Sequence, residues 1–507
     1  MNTFEQNYID QNFQFPEGLT YEQFEQIQHI QVRADIARKN KVTNTDSYNR
    51  TMTQLRWDLG EKLETFTLSL RRAGNEKYID MLWNQPYNVI YGVNKIVDQV
   101  LSRQITQSEI DFAAEYYKAQ WEKWWLATFD KEMWQSIVDE YDGYIPLKVH
   151  AVADGTVLKK WEPAMRVEWP GELAAVYEPL LLRIFFMSAV ATEARTIKNL
   201  VWEDRIMEFG KRAAINEEAH LDALEALQVG LNIKLTSNDT GALVYPETKT
   251  SGTTAHRYFA SYETEDAAFI NAIETADSAW LLVDLIDSYK WIDKILKLKQ
   301  EYRESGKAIT MRLDSGDIKD QAVYALTQQL EMWMMDPKRD KIVVADISTV
   351  EEIAEVEQAC AEALQETGYD YKEYIIYGLG GLLVSRDKTR DVVSGWYKLT
   401  HTEDGPTGKK SNTLAKRPIP GKPNIGIDET NEQRMVVQEG EELDNIDDIL
   451  LKEVYNHWEV KTSGYVLQNI QDAKKQVDKT MQYIAYEQVD SPETIKAKEA
   501  VEKKLAA

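Results

Sequence analysis

The chain has 507 residues, 43% hydrophobic and 28% charged, with 84 Asp and Glu against 59 Lys and Arg and a formal net charge of -25. Such a composition suits a large globular enzyme of two or three structural units and excludes a general nucleic-acid binder, which holds phosphate backbones with clustered Lys and Arg. A lone Cys360 excludes an intramolecular disulfide framework, and the absence of a basic-apolar leader and of any bilayer-length apolar stretch points to a cytoplasmic protein with no membrane partner.

In chain order, residues 1–40 are rich in Gln, Asn and Glu and read as a peripheral helical extension. Residues 41–175 read as an N-terminal α/β unit in which Val149 to Lys159 alternates around a Gly155 turn and Tyr78 to Trp125 is aromatic and helical. Glu178-Pro179 opens a helix with proline in its first turn, and Leu180 to Ile197 is its apolar body. Four short apolar runs, Ala279 to Val283, Ala308 to Leu313, Lys341 to Val344 and Glu373 to Tyr377, then recur about every 30 residues, each followed by polar or glycine residues and a helical pattern. Ser348 followed by Glu351 reads as a capping box that starts a helix just beyond Asp346. Beyond Thr400 the chain turns loop-rich, and Ile446 to Ala507 returns to helix. The expected fold is α/β: an irregular (β/α) barrel over residues 176–395 and an α/β domain built from residues 41–175 and 396–490, with 491–507 as a charged tail.

A barrel carries its chemistry at the C-terminal ends of its strands. There the sequence places Asp284 with Asp287, then Arg312-Leu313-Asp314-Ser315-Gly316-Asp317, then Asp346, then Gly378-Leu379-Gly380-Gly381. An arginine, two carboxylates and a glycine on one turn form the mixture that a sugar-phosphate site needs. The bare amides around Gly378, Gly380 and Gly381 can cradle a phosphate, with Arg390 close enough in sequence to clamp the same anion, although strand-to-helix turns also use glycine routinely. Between Arg386 and Lys422 nine Lys or Arg stand against four Asp or Glu, which fits a small polyanionic ligand or a solvated basic loop. His256 follows the small-residue run Ser251-Gly252-Thr253-Thr254-Ala255. No zinc-ligand spacing surrounds it, so a functional His256 is a nucleophile or base, and no residue is assigned as a metal ligand.

Several motifs occur in the order seen in nicotinate and nicotinamide phosphoribosyltransferases. They are Thr45-Asp46-Ser47-Tyr48 with Thr51-Met52, Arg71-Arg72, Phe209-Gly210 with Arg212, Thr236-Ser237-Asn238, Gly252-Thr253 with Ala255-His256, and the barrel-end groups above. Across residues 42–425 the chain resembles that family. The resemblance implies that a pyridine base is joined to phosphoribosyl pyrophosphate through a ribosyl cation, releasing pyrophosphate accompanied by Mg2+. By the same resemblance Asp314 and Asp346 contact the ribose, with Asp284, Asp287 and Asp317 also lining the substrate, and Arg312 and Arg212 serve it as well. Gly380 and Gly381 hold the 5′-phosphate, and Arg71, Arg72, Arg390, Lys398 and Lys422 form a pyrophosphate clamp. His256 matches the histidine that ATP, a co-substrate, phosphorylates. Phe209 and Tyr48 match the two aromatics, one from each subunit of a homodimer, that sandwich the base.

The base itself is chosen by what faces its substituent, because a carboxylate in a dry pocket must not meet an aspartate. Ser237 can donate to a carboxylate where the nicotinamide branch has Asp, which favours nicotinate, as do Gly395 to Leu399 and Pro420-Gly421-Lys422. Leu382-Leu383 and Thr389-Arg390-Asp391 look more like the nicotinamide branch, so nicotinamide remains the alternative. A metal-dependent barrel lyase would add His or Glu ligands at the junctions, and a scaffold without chemistry would be expected to lack His256 or Asp314.

Overall fold

The computed structural model describes residues 34–55, 62–82, 85–124, 129–409, 416–457, 459–460 and 469–505. Of the expected N-terminal extension, residues 34–40 fall within this range, with 34–39 helical; residues 1–33 lie outside the described residues, as does Lys410 of the basic segment.

The periodic apolar runs form parallel strands. Ser278–Leu282, Ala308–Leu313, Ile342–Val344 and Ile375–Leu379 lie side by side, and Ile206–Glu208, Leu235–Thr236 and Lys249–Thr250 extend the sheet to seven strands. Register pairs Arg312 with Leu282 on one side and Val343 on the other, and pairs Leu379 with Glu208. The polar residues that follow each strand therefore leave the sheet at one end. Segment 251–254 bridges the remaining gap: Ser251 N–H bonds Thr236 O at 3.0 Å, and Thr254 N–H bonds Trp280 O at 2.9 Å on the opposite edge. An irregular barrel results, packed by buried Val, Ile, Leu and Met from strands and flanking helices.

The helices begin where their caps dictate. Asp287 accepts from Lys290 N–H and starts Ser288–Glu301; Asp317 accepts from Asp320 N–H and starts Ile318–Glu331. The capping box on Val350–Leu364 is Thr349 with Glu352, one residue later than the Ser348 and Glu351 expected, because Ser348 instead donates its N–H to Glu352 Oε2 at 2.7 Å and completes the turn. The single helix expected over Leu180 to Ile197 is two, Glu178–Leu181 and Ile184–Lys198.

Beside the barrel stands a seven-stranded antiparallel sheet whose strands come from both ends of the chain. Leu63–Leu70 is flanked by Gly395–Thr402 and Pro163–Pro170, followed by Lys148–Ala151 and Lys452–Asn456. The segment beyond Thr400 is less loop-rich than its Gly and Pro content implies: Pro423–Asp428 and Gln433–Gln438 form a hairpin in a second, four-stranded sheet. Buried Arg434 fastens that sheet to the N-terminal segment through Glu162, with Nε at 2.8 Å from Oε1. No helix among the described residues is long and apolar enough to cross a membrane.

Candidate active site

Arg312, the penultimate residue of its strand, lies across the barrel mouth. Its Cζ sits 5.1 Å from the centroid of the Phe209 ring, its Nη1 donates to Thr253 Oγ1 at 2.8 Å, and its Nη2 donates to Asp314 Oδ1 at 2.6 Å. The guanidinium is thus fixed on three sides, and its buried Nε has no hydrogen-bond partner among the described residues. Phe209 is positioned in turn by Gly378. A Cβ there would stand 2.4 Å from Phe209 Cε2, so the first glycine of the run admits the ring edge.

His256 opens a short helix, His256–Ala260, directly after the segment that closes the barrel. Its Nε2 is 3.0 Å from Asp284 Oδ1, and the other oxygen of that nearly buried carboxylate accepts from Ser315 Oγ at 2.6 Å. One ring nitrogen is therefore oriented by Asp284 while the ring itself is half exposed. Ligand atoms of His256, Asp284 and Asp314 lie within 4.8 Å of one another. Asp346 joins them from the next junction with a backbone φ of 57°, a left-handed conformation uncommon for a residue with a side chain. Burial raises its pKa, and the neighbouring carboxylates of Asp314, Glu352 and Asp284 raise it further.

A second group of site residues collects where the antiparallel sheet meets the glycine turn. Arg71 and Arg72 donate their backbone N–H groups to Ser394 and Val393, just after Arg390. Burial and the positive charges of Arg390 and Arg72 lower the pKa of Arg71, so the three guanidinium groups stand close enough to repel. A cluster of this kind invites an anion. Lys388, between the glycine turn and Arg390, is buried and holds the loop by donating to Glu193 Oε1 at 2.7 Å and to Leu382 O at 3.0 Å.

Other expected residues are placed differently. The carboxylates of Asp287 and Asp317 cap helices. Lys422 pairs with Glu168 at 2.6 Å and Glu439 at 3.6 Å, in a network with Arg166, so its charge is balanced away from the arginine cluster. Lys398 and Arg212 are exposed, as is Ser237, whose N–H bonds Glu208 O at 2.9 Å at the end of its strand. Tyr48 is half exposed on the helix Ser47–Leu55, its hydroxyl bonded to Glu178, and makes no ring contact with Phe209 within the chain. His150, Glu168 and Glu439 also converge, but Arg166 holds Nη2 3.4 Å from His150 Nδ1 and pairs with Glu168 through Nε and with Glu439 through Nη2, making this an ion-pair network.

The motifs did not disclose Glu208 and His220. Both are buried beneath Phe209 and Ser237, with His220 Nε2 at 3.2 Å from Glu208 Oε1 and Thr236 Oγ1 donating to Glu208 Oε2 at 2.6 Å. The only signal for Glu208 was its place immediately before Phe209.

Residues 40–149 match the family described as nicotinamide phosphoribosyltransferase, N-terminal domain. The chain is 26% identical over 279 residues to a nicotinate phosphoribosyltransferase of Bacillus subtilis, covering 54% of this chain and 52% of that protein. It is 25% identical over 321 residues to a nicotinamide phosphoribosyltransferase of Xanthomonas campestris, covering 55% and 63%. In sequence the chain is similar to both nicotinate and nicotinamide phosphoribosyltransferases. The matches span between about half and two thirds of those two relatives' lengths. The fold likeness is broader: human nicotinic acid phosphoribosyltransferase superposes with a TM-score of 0.62 at 17% identity, covering 89% of this chain and 98% of that one. A nicotinate-nucleotide pyrophosphorylase from Pyrococcus furiosus gives 0.60 at 17% identity, covering 90% and 97%.

Proposed function

We propose that the protein is a cytoplasmic nicotinate phosphoribosyltransferase of NAD salvage, joining nicotinate to phosphoribosyl pyrophosphate, releasing pyrophosphate, and coupling the transfer to ATP hydrolysis through a phosphohistidine at His256. The observation that carries this reading is the barrel mouth itself, where Arg312 lies over Phe209 and against Asp314 while Asp284 orients His256 on the adjoining strand end.

Phe209 offers a flat face for the pyridine ring, with Arg312 fixed at its surface. The ring nitrogen bonds to the ribose carbon as the bond to pyrophosphate breaks, and positive charge develops on the ribosyl group. Asp314 and Asp346 stand where carboxylates stabilise that charge, and Arg71, Arg72 and Arg390 receive the phosphates. Mg2+ suits the donor set, because Asp284, Asp314 and Asp346 present hard oxygen ligands, with Asp314 and Asp284 near enough to raise the pKa of Asp346. Bound there, it would offset the charge of the pyrophosphate.

Asp284 accepts from Nε2–H of His256, which leaves the lone pair on Nδ1 to take the γ-phosphoryl group of ATP as the bond to ADP breaks. Ser237, exposed at the strand end, supplies a hydroxyl donor for the carboxylate of nicotinate. The test is direct. With phosphoribosyl pyrophosphate, ATP and Mg2+, the purified protein converts nicotinate to its mononucleotide, and ATP labels the parent but not His256→Ala with acid-labile phosphate. Turnover of nicotinamide in place of nicotinate reassigns the base, and turnover of neither sinks the proposal.

A further inference from the structure

Three fully buried polar side chains lie directly behind the two residues that face the base: Glu208 at 0%, His220 at 1% and Asn238 at 2% exposure. Polar groups at that depth are costly unless every one is bonded. Here the bonds form one chain with a defined direction. Asn238 Oδ1 accepts from Thr240 N–H at 3.1 Å and from Lys211 Nζ at 3.2 Å, so its Nδ2 is the donor toward His220 Nδ1 at 3.1 Å. The imidazole must then carry its proton on Nε2 and donate it to Glu208 Oε1 at 3.2 Å. Glu208 also accepts from Gly210 N–H and from Thr236 Oγ1.

The chain ties together three elements: the strand Ile206–Glu208, which leads into Phe209; the helix Glu217–Gly230, which carries His220; and the strand Leu235–Thr236, which leads into Ser237. Both base-facing residues are covalent neighbours of the network. On the same helix face the neighbouring positions are the apolar Ala223, Leu224 and Leu227, so His220 is the polar exception there. The imidazole adds one donor and one acceptor, and both are used to set the spacing between the turn that follows Glu208 and the turn that follows Thr236.

We propose that His220 is a specificity-determining positioning residue: through Glu208 and Asn238 it fixes the distance between the Phe209 platform and the Ser237 hydroxyl, and so decides whether the pyridine substituent is read as a carboxylate or as an amide. This rests on the phosphoribosyltransferase reading above. His220 touches neither the base nor the phosphates, so its loss acts on base recognition and leaves His256 and the arginine cluster as they are.

In His220→Leu the acceptor for Asn238 and a donor to Glu208 disappear together, and the expected result is a rise of about tenfold or more in KM for nicotinate, with loss of discrimination against nicotinamide. KM for phosphoribosyl pyrophosphate and the rate of phosphate labelling of His256 stay at the parent level. His220→Gln, which keeps one donor and one acceptor, recovers most of the discrimination. Should His220→Leu fail to fold, His220→Gln and Asn238→Ala carry the test, with Asn238→Ala losing discrimination and His220→Gln keeping it. Unchanged discrimination in every folded variant overturns the inference, as does a uniform shift of all three constants in step with lowered thermal stability. A parent protein that converts neither base overturns the function reading and this inference with it.

Discussion

Arg312 Cζ stands 5.1 Å from the centre of the Phe209 ring while its Nη2 bonds Asp314 Oδ1 at 2.6 Å. One planar cation thus joins the ring proposed as the base platform to the carboxylate proposed to face the ribose, and lysine has neither the plane nor the fork to do both. Arg312→Lys is expected to lower kcat/KM for the base by about a hundredfold, combining loss of the stacked contact with loss of a charge-assisted hydrogen bond. Steady-state kinetics with the base varied at saturating phosphoribosyl pyrophosphate read this directly, and an effect under about threefold shows that the guanidinium geometry is not used.

Gly378→Ala tests the platform from below. Its Cβ would lie 2.4 Å from Phe209 Cε2 and 2.8 Å from Cδ2, so the ring must tilt or shift. The expected outcome is a higher KM for the base with little change in labelling of His256. Thermal stability should fall only modestly, because Phe209 is partly exposed and its ring has room to move. If the base KM is unaffected, the Phe209 ring is not the platform.

The fold was legible where periodicity was long enough to register. Ala308-Ile309-Thr310-Met311 announces its strand as a mainly apolar run, whereas Leu235–Thr236 and Lys249–Thr250 have two residues each, too few for an alternation to show. They are strands because the barrel's edges need partners. Role is harder to read than position: Asp287 and Asp317 sit at strand ends as a catalytic carboxylate would, and each also caps the helix that follows, as an aspartate there prefers to do. Lys422 belongs to a basic segment in sequence, but Glu168, distant in the chain, takes up its charge in space. The Glu208 and His220 network was hidden for a similar reason, because its bonds cross three elements and leave no local pattern.

The ion-pair network behind the antiparallel sheet predicts a pH dependence of stability. Burial and the adjacent Arg166 lower His150 from 6.5 to about 4, with Lys148 adding to the effect and Glu168 and Glu439 opposing it. The unfolded chain binds a proton near 6.5 and the native protein only near 4, so between these values the unfolded state holds more protons. This contribution to stability is present above about pH 6.5 and is lost as pH falls toward 4. Urea unfolding midpoints measured at several pH values should show the slope in the parent and a shallower one in His150→Gln. Equal slopes mean that other groups govern acid unfolding.

Tyr48, Met52 and Leu55 form one outward stripe on the helix Ser47–Leu55, with relative exposures of 50%, 41% and 77%. An aromatic and aliphatic stripe at helical spacing on an open surface suits a protein interface, and Tyr48 is the residue the family resemblance assigns to a neighbouring subunit's base. If two copies share sites in this way, each site of a homodimer takes Tyr48 from one chain and Phe209 with Arg312 from the other. Subunits carrying Tyr48→Ala and subunits carrying Arg312→Ala then each lack an intact site, but a hybrid of the two contains one. Mixing equal amounts under conditions that allow exchange should restore about a quarter of the parent activity, since half the dimers are hybrids and each has one good site of two. Activity that equals only the sum of the separate variants means that Tyr48 does not complete the partner's site.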